Sequence, residues 1–439
     1  MRESKPAWHN PFRIALLVSL AAGSLPAQTA PDLTAARLGL SEFQRVCEEA
    51  GDRMWGVPLC GRLLLVDSRS RMTVANMPDP EGTFRDAGGL FVGSLPPEIL
   101  IANTSIRWGN EDWAMVSLPL PADEFLRLRL LVHESFHRLQ ARLGLRAADT
   151  AGGHLDSESG RLWLRLELRA LAQALRLDGA AARTAAEDAL LFRAVRHSLH
   201  PRAQVLESAL EIQEGLAEYT GTVIALGQSG ESPVRVARAV EDFEDQSSFS
   251  RSFAYATGPA LGLLLDKHAP GWRKGLTRDS SLGSLLGHAL NVRAGTDPVH
   301  LAQSRGERYG LRAVAAAERG RAVRTQALLA GYRARFLDGP VLLFPRTEEL
   351  RRSFNPNNLV PLGDSGTVYP TGTFVSRWGK LQIDDVGGLL ATDNQTLRVS
   401  APAELSARPL SGPGWRLELA PGWTVRPGTI AGSFVVVPE

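Results

Sequence analysis

The stretch that decides the reading is Phe125-Leu-Arg-Leu-Arg-Leu-Leu-Val-His133-Glu134-Ser135-Phe136-His137-Arg-Leu-Gln140. Its apolar residues recur at helical spacing, Pro121 and Asp123 mark a start, and Gly144 marks an end. Leu130, Leu131, Val132 and Phe136 place the helix in a core. Residues four apart on such a helix differ by only about 40° in direction, so the imidazoles of His133 and His137 point the same way. That arrangement suits two ligands on one Zn2+ with positions left open. Glu134 is offset toward a water at the open position, where it can take a proton and return it to a leaving amine. The pattern H-E-x-x-H gains weight from being on a helix that follows strand-like segments.

A third ligand is required. The extended form H-E-x-x-H-x-x-G-x-x-H fails, because Gln140 and Leu143 stand where its Gly and His would be. A carboxylate from further along the chain is therefore expected. One candidate is Glu214 in Glu211-Ile-Gln-Glu214-Gly-Leu-Ala-Glu218-Tyr219, where three acids at spacings of three and four share one face of an otherwise apolar helix. Such a stripe repels itself unless cations or histidines lie opposite. The rival is Glu158 in Asp156-Ser-Glu158-Ser-Gly160, nearer the motif in sequence and accompanied by His154.

H-E-x-x-H followed by E-G-x-A resembles the gluzincin zinc peptidases, and among them the aminopeptidase N-type group. The resemblance spans residues 121–268 and implies a zincin-like fold, one Zn2+ per chain, and Glu214 as the third ligand beside His133 and His137. It also implies a tyrosine from a Y-x-x-G helix start that steadies the tetrahedral intermediate. Tyr255-Ala-Thr-Gly258, opening the apolar run Pro259–Leu265, matches that element. By the same analogy Glu218, one turn beyond Glu214, would orient a ligand histidine. Two departures stand out. The gap of 77 residues from His137 to Glu214 is much longer than in the family, an excess attributed to an inserted helical hairpin at 154–200. The family's G-x-M-E-N segment, which anchors a substrate amine, is absent, so exopeptidase and endopeptidase action both stay open.

Outward from the motif the chain divides by composition into an α+β arrangement. Residues 28–120 hold a helix over 38–49 and strand-like runs at Gly61–Asp67, Glu98–Ala102 and Trp113–Leu118, separated by Gly and Pro clusters. The last of these runs is placed to pair with an extended peptide by strand addition. Residues 121–338 are helical, with two regular amphipathic segments, Glu158–Leu177 and Ala180–Leu199, forming the hairpin. From 339 to 439 Gly, Pro, Thr and Val rise and short alternating runs point to a separate all-β domain.

Residues 1–27 have the order of a secretory signal. Arg2, Lys5 and Arg13 precede the apolar run Ile14–Ala22, and small residues lead to a cut after Ala27. The run is roughly 9 residues, short of the about 20 that span a bilayer. A secreted or periplasmic protein without stable membrane insertion is expected. In that oxidising space Cys47 and Cys60, the two cysteines of the chain, suggest one disulfide, worth roughly 3 kcal/mol.

Composition narrows the function. With 49 Lys+Arg against 47 Asp+Glu, 44% hydrophobic and 22% charged residues, the chain is neither disordered nor a nucleic-acid binder. No phosphate-binding glycine loop is present, and Gly363-Asp-Ser-Gly366 echoes a serine-protease segment without its His and Asp partners. The expectation is an exported zinc metallopeptidase acting on a peptide or protein substrate. The alternatives are a non-catalytic zincin-like binding protein and a zinc hydrolase with a non-peptide substrate. Retention of Glu134 weighs against the first, because a structural metal site needs no base.

Overall fold

The computed structural model describes residues 33–439 apart from 149, 151, 228–231, 293–296, 346–349, 356–357, 393–395, 403 and 407–408. The expected signal segment, residues 1–27, lies outside the described residues. Among those described, no helix is long and apolar enough to cross a membrane. The described chain is mixed α+β and falls into two compact units, 33–319 and 320–439.

In the first unit, helix α1 (Leu33–Ala50) precedes six strands: β1 (Leu63–Asp67), β2 (Met72–Ala75), β3 (Arg85–Asp86), β4 (Phe91–Ser94), β5 (Thr104–Trp108) and β6 (Glu111–Leu118). They form one sheet in the order β3-β4-β2-β1-β6-β5. Only β1 and β6 run parallel, in the register Leu63↔Ala114 to Asp67↔Leu118. This central pair is buried on both faces, which explains its unbroken apolar sequence. Leu63, Leu65, Ala114 and Val116 pack with α1 and with α2 (Glu124–Gln140), whereas Leu64, Val66, Trp113 and Met115 pack with Phe84, Leu95 and Trp108.

Two expectations for this region are corrected. Glu98–Ala102 is a turn, and the strand comes just after it, at β5. The guanidinium of Arg71 takes the carbonyls of Leu95, Pro96 and Ile99, so these groups find their partners in a side chain and not in a neighbouring strand. β6 has a strand on each side, so it is not open to strand addition; the outer strand is β5. The expected disulfide is also absent. Cys47, buried on α1, and Cys60 are free thiols, although they are in hydrogen-bond contact.

Helix α2 starts where Asp123 caps it, the Asp123 carboxylate accepting from Leu126 N at 2.9 Å. The buried pair Arg127–Glu42, at 2.7 and 2.8 Å, ties it to α1. The hairpin follows as α3 (Glu158–Arg176) and α4 (Gly179–Leu199), close to the expected limits. Then come α5 (Ala203–Leu210), a single π turn (Glu211–Gly215), α6 (Leu216–Leu226), α7 (Ser232–Phe243) and α8 (Ala254–His268). Helices α9 (Leu282–Ala289), α10 (Pro298–Gly306) and α11 (Leu311–Arg333) complete the helical region. A continuous apolar core runs from Phe136 of α2 through Leu164, Leu168 and Leu171 of α3 to Leu216 of α6 and Leu261 of α8.

The chain enters the second unit within α11. This unit contains a seven-stranded and a five-stranded sheet, mostly antiparallel. Strands Gly372–Ser376, Gly379–Ile383, Leu397–Ser400, Trp415–Leu419 and Phe434–Pro438 lie in the region from 339 to 439 that was read as β. Their inward residues, among them Phe374, Leu381, Val399 and Leu417, share one core with Trp378 and Trp415.

Candidate metal centre

His133 and His137 leave α2 on the same side, and their Nε2 atoms lie 3.0 Å apart. Glu214, on the π turn, brings Oε2 to 3.4 Å from His133 Nε2 and 3.5 Å from His137 Nε2. Among the described residues this is the group of histidine, cysteine and acidic side chains that can hold a metal ion. Two ligands at about 2.0–2.1 Å from zinc in tetrahedral geometry are about 3.3 Å from each other. The three observed separations bracket that value, so the donor set fits such an ion. Glu158, the rival, lies exposed in the first turn of α3 and is not in the group. Its neighbours are engaged elsewhere: His154 Nε2 pairs with Glu207 at 2.7 Å, and Asp156 accepts from Phe249 N.

The three acids Glu211, Glu214 and Glu218 meet the cations and histidines that such a stripe requires. The π turn closes hydrogen bonds over an extra residue and shifts the helix phase within the run. Each acid has its own set of partners, with His133 shared between Glu214 and Glu218. Glu211 is gripped by Arg193 at 2.6 and 2.8 Å, Glu214 faces the histidine pair, and Glu218 lies between His133 and Arg129. The repulsion inherent in the sequence is thus removed pairwise.

A second layer holds the imidazoles. Glu218 Oε2 is 3.0 Å from His133 Nδ1, the position its spacing suggested, and its other oxygen meets Arg129 at 3.1 Å. His137 Nδ1 is 2.7 Å from Gln140 Oε1. The Gln140 amide donates to the carbonyls of Ile212 at 3.0 Å and Gln213 at 2.7 Å, so one side chain orients His137 on α2 and pins the turn that carries Glu214. Sequence reasoning used Gln140 only to exclude the extended H-E-x-x-H-x-x-G-x-x-H form, at its Gly position. Its position one turn after His137 was the available signal. Arg129, four residues before His133, was missed likewise.

Glu134 is 5% exposed, and its Oε2 is buried without a hydrogen-bond partner among the described residues. Burial pushes its carboxyl up, against the opposing pull of His133 and His137. Burial works to lower His133, yet its hydrogen bonds with Glu214 and Glu218 outweigh that and hold it up at about 10. Burial would likewise raise Glu214, and the two imidazoles instead bring it well below the usual carboxylate range. Tyr255 stacks on His133, with centroids 5.6 Å apart and planes 7° apart, and its hydroxyl donates to Glu214 Oε2 at 2.7 Å. Burial and the Glu214 charge keep that phenol protonated far above its ordinary range. His133, Glu134, His137, Glu214 and Tyr255 therefore meet in one place, with Glu218 behind His133, whereas Glu158 stands apart. No protein-family model, curated protein or solved structure matches this chain.

Proposed function

We propose that the chain is a zinc-dependent metallopeptidase of gluzincin type, exported and acting on peptide or protein substrates. The observation that carries this reading is the buried, unpartnered Glu134 Oε2 beside three converging donors from His133, His137 and Glu214. A structural metal site does not require a buried carboxylate without a partner, whereas a general base does.

Zinc held there would act as a Lewis acid and bring the pKa of a water toward neutrality. Glu134 receives the proton of the attacking water at Oε2 and delivers it to the departing amine. The elevated proton affinity of Glu134, caused by burial, suits both transfers. Tyr255, still protonated, donates its hydroxyl hydrogen to the developing oxyanion of the substrate carbonyl. Glu218 and Gln140 keep the two rings in place through their Nδ1 atoms. A cleft of about 70 Å3 lined by Phe125, Arg129, Glu218, Tyr255 and Pro259 gives room for a small group beside the site. Strand β5, in contact with α2 and unpaired by a strand on its outer side, offers a backbone edge to an extended peptide. The reading is tested by cleavage of a mixed peptide library with wild type and Glu134→Gln at equal zinc loading. Equal product from both proteins removes the peptidase assignment.

A further inference from the structure

We propose that Glu211, clamped by Arg193 and Thr257, is a positioning residue that sets Glu214 and Tyr255 in one register against the histidine pair. This goes beyond the ligand assignment and rests on it.

Glu211 is fully buried and three residues ahead of Glu214 in the π turn. Its Oε2 accepts from Arg193 Nη1 at 2.8 Å. Its Oε1 accepts from Arg193 Nη2 at 2.6 Å and from Thr257 Oγ1 at 2.7 Å. Thr257 is fully buried and two residues beyond Tyr255 on α8. Arg193 belongs to α4 of the inserted hairpin and donates onward from Nε to Glu167 of α3 at 2.8 Å. One carboxylate thus joins the turn that carries the third ligand, the helix that carries the phenol and the hairpin.

Such a junction has a single well-satisfied arrangement. A buried carboxylate that loses one of its donors is left with desolvation that nothing compensates, and planar bidentate pairing with a guanidinium tolerates little rotation. A π turn is also a local departure from the helical norm and persists where side chains hold it. Here it is held from two sides, by Gln140 on the carbonyls of Ile212 and Gln213 and by Arg193 with Thr257 on Glu211. If the second hold is loosened, the turn can relax toward regular helix, and Glu214 then rotates away from the imidazoles. The inserted hairpin accordingly does more than lengthen the gap between His137 and Glu214: through Arg193 it fixes where the distant ligand sits.

The test uses the full chain as wild type, Thr257→Val and Thr257→Ser. Valine keeps the shape of threonine and removes the hydroxyl donor; serine keeps the donor. Zinc affinity is measured by competition with a chromophoric chelator, and ligand geometry by the visible spectrum of the Co2+-loaded protein. The expected result is zinc binding weakened roughly tenfold or more in Thr257→Val with an altered Co2+ spectrum, and both properties at wild-type level in Thr257→Ser. Should Thr257→Val fail to fold, Arg193→Lys carries the same expectation, since it keeps the buried charge and loses the fork. Unchanged affinity and spectrum in the folded variant overturn the proposal, whatever the melting temperature does, because a merely structural role moves only the latter. A wild type that takes up no zinc overturns the ligand assignment itself, a result read before any variant is made.

Discussion

Gly258 lies backbone to backbone on Gly215: a Cβ added at Gly258 would fall 2.3 Å from Gly215 Cα and 2.4 Å from its carbonyl oxygen. This close approach of α8 to the π turn is what lets Tyr255, one turn before Gly258, reach Glu214, the residue before Gly215. The two glycines are thus required by a packing distance, and neither has the positive φ that explains many glycines elsewhere in the chain. Gly258→Ala is expected to cost about 1–3 kcal/mol through overpacking. Gly215→Ala should cost less, because its Cβ would be 3.1 Å from Gly258 Cα. Urea unfolding of both variants checks the order; a Gly258→Ala protein as stable as wild type contradicts the contact.

The ligand assignment predicts metal content directly. Purified wild type is expected to hold about one zinc per chain. Glu214→Ala should lose it, and Glu158→Ala, altered at an exposed helix start, should keep it. Elemental analysis after dialysis decides between the two carboxylates, and the opposite pattern would transfer the ligand role to Glu158.

Base and phenol variants should separate binding from chemistry. Glu134→Gln is expected to retain zinc and to lose peptide cleavage by roughly a hundred- to ten-thousandfold. Tyr255→Phe removes the donor to the oxyanion and should lower kcat by roughly a hundredfold or more with zinc retained. Loss of metal in either variant would mean that the residue supports the site and not the reaction.

The pH dependence of the metal-free protein follows from His133. Its ordinary value is about 6.5, and Glu214 and Glu218 hold it near 10 in the fold. Because the folded value is the higher one, its stabilising contribution is complete below about pH 6.5 and is lost as pH rises through about 10. Thermal unfolding of the apoprotein should therefore show stability declining across that window, and His133→Gln should abolish this part of the slope. Zinc competes with the same proton, so zinc affinity should rise over the same range. An apoprotein equally stable at both ends would show that His133 is not held protonated.

Much of this was legible in the amino-acid order because it depends on local period. The spacing of His133 and His137, the cap at Asp123, the amphipathic faces of the hairpin and the alternating runs after residue 372 each express a repeat within one element. The motif Tyr-x-x-Gly at Tyr255 and Gly258 was readable too, though only as a resemblance. The failures were of another kind. Glu98–Ala102 read as a strand because its residues are mostly apolar, and Arg71, more than twenty residues away, captured the Ile99 carbonyl within it and that of Pro96 just before it. The placement of β6 between β1 and β5, which closes it to an added strand, is a matter of sheet order that no single segment encodes.

By itself the sequence determined which side chains stand together on α2, since His133, Glu134 and His137 are placed by the helical repeat alone. Tertiary structure decided which distant acid joins them and in what state. The π turn, the Gly215–Gly258 contact and the buried Arg193–Glu211 pair bring Glu214 to the imidazoles and send Glu211 elsewhere, although the two lie three residues apart on what reads as one face. The reason is physical: helical periodicity is a local property, whereas the choice among competing carboxylates is made by which buried cations and which close backbone approaches the folded chain supplies.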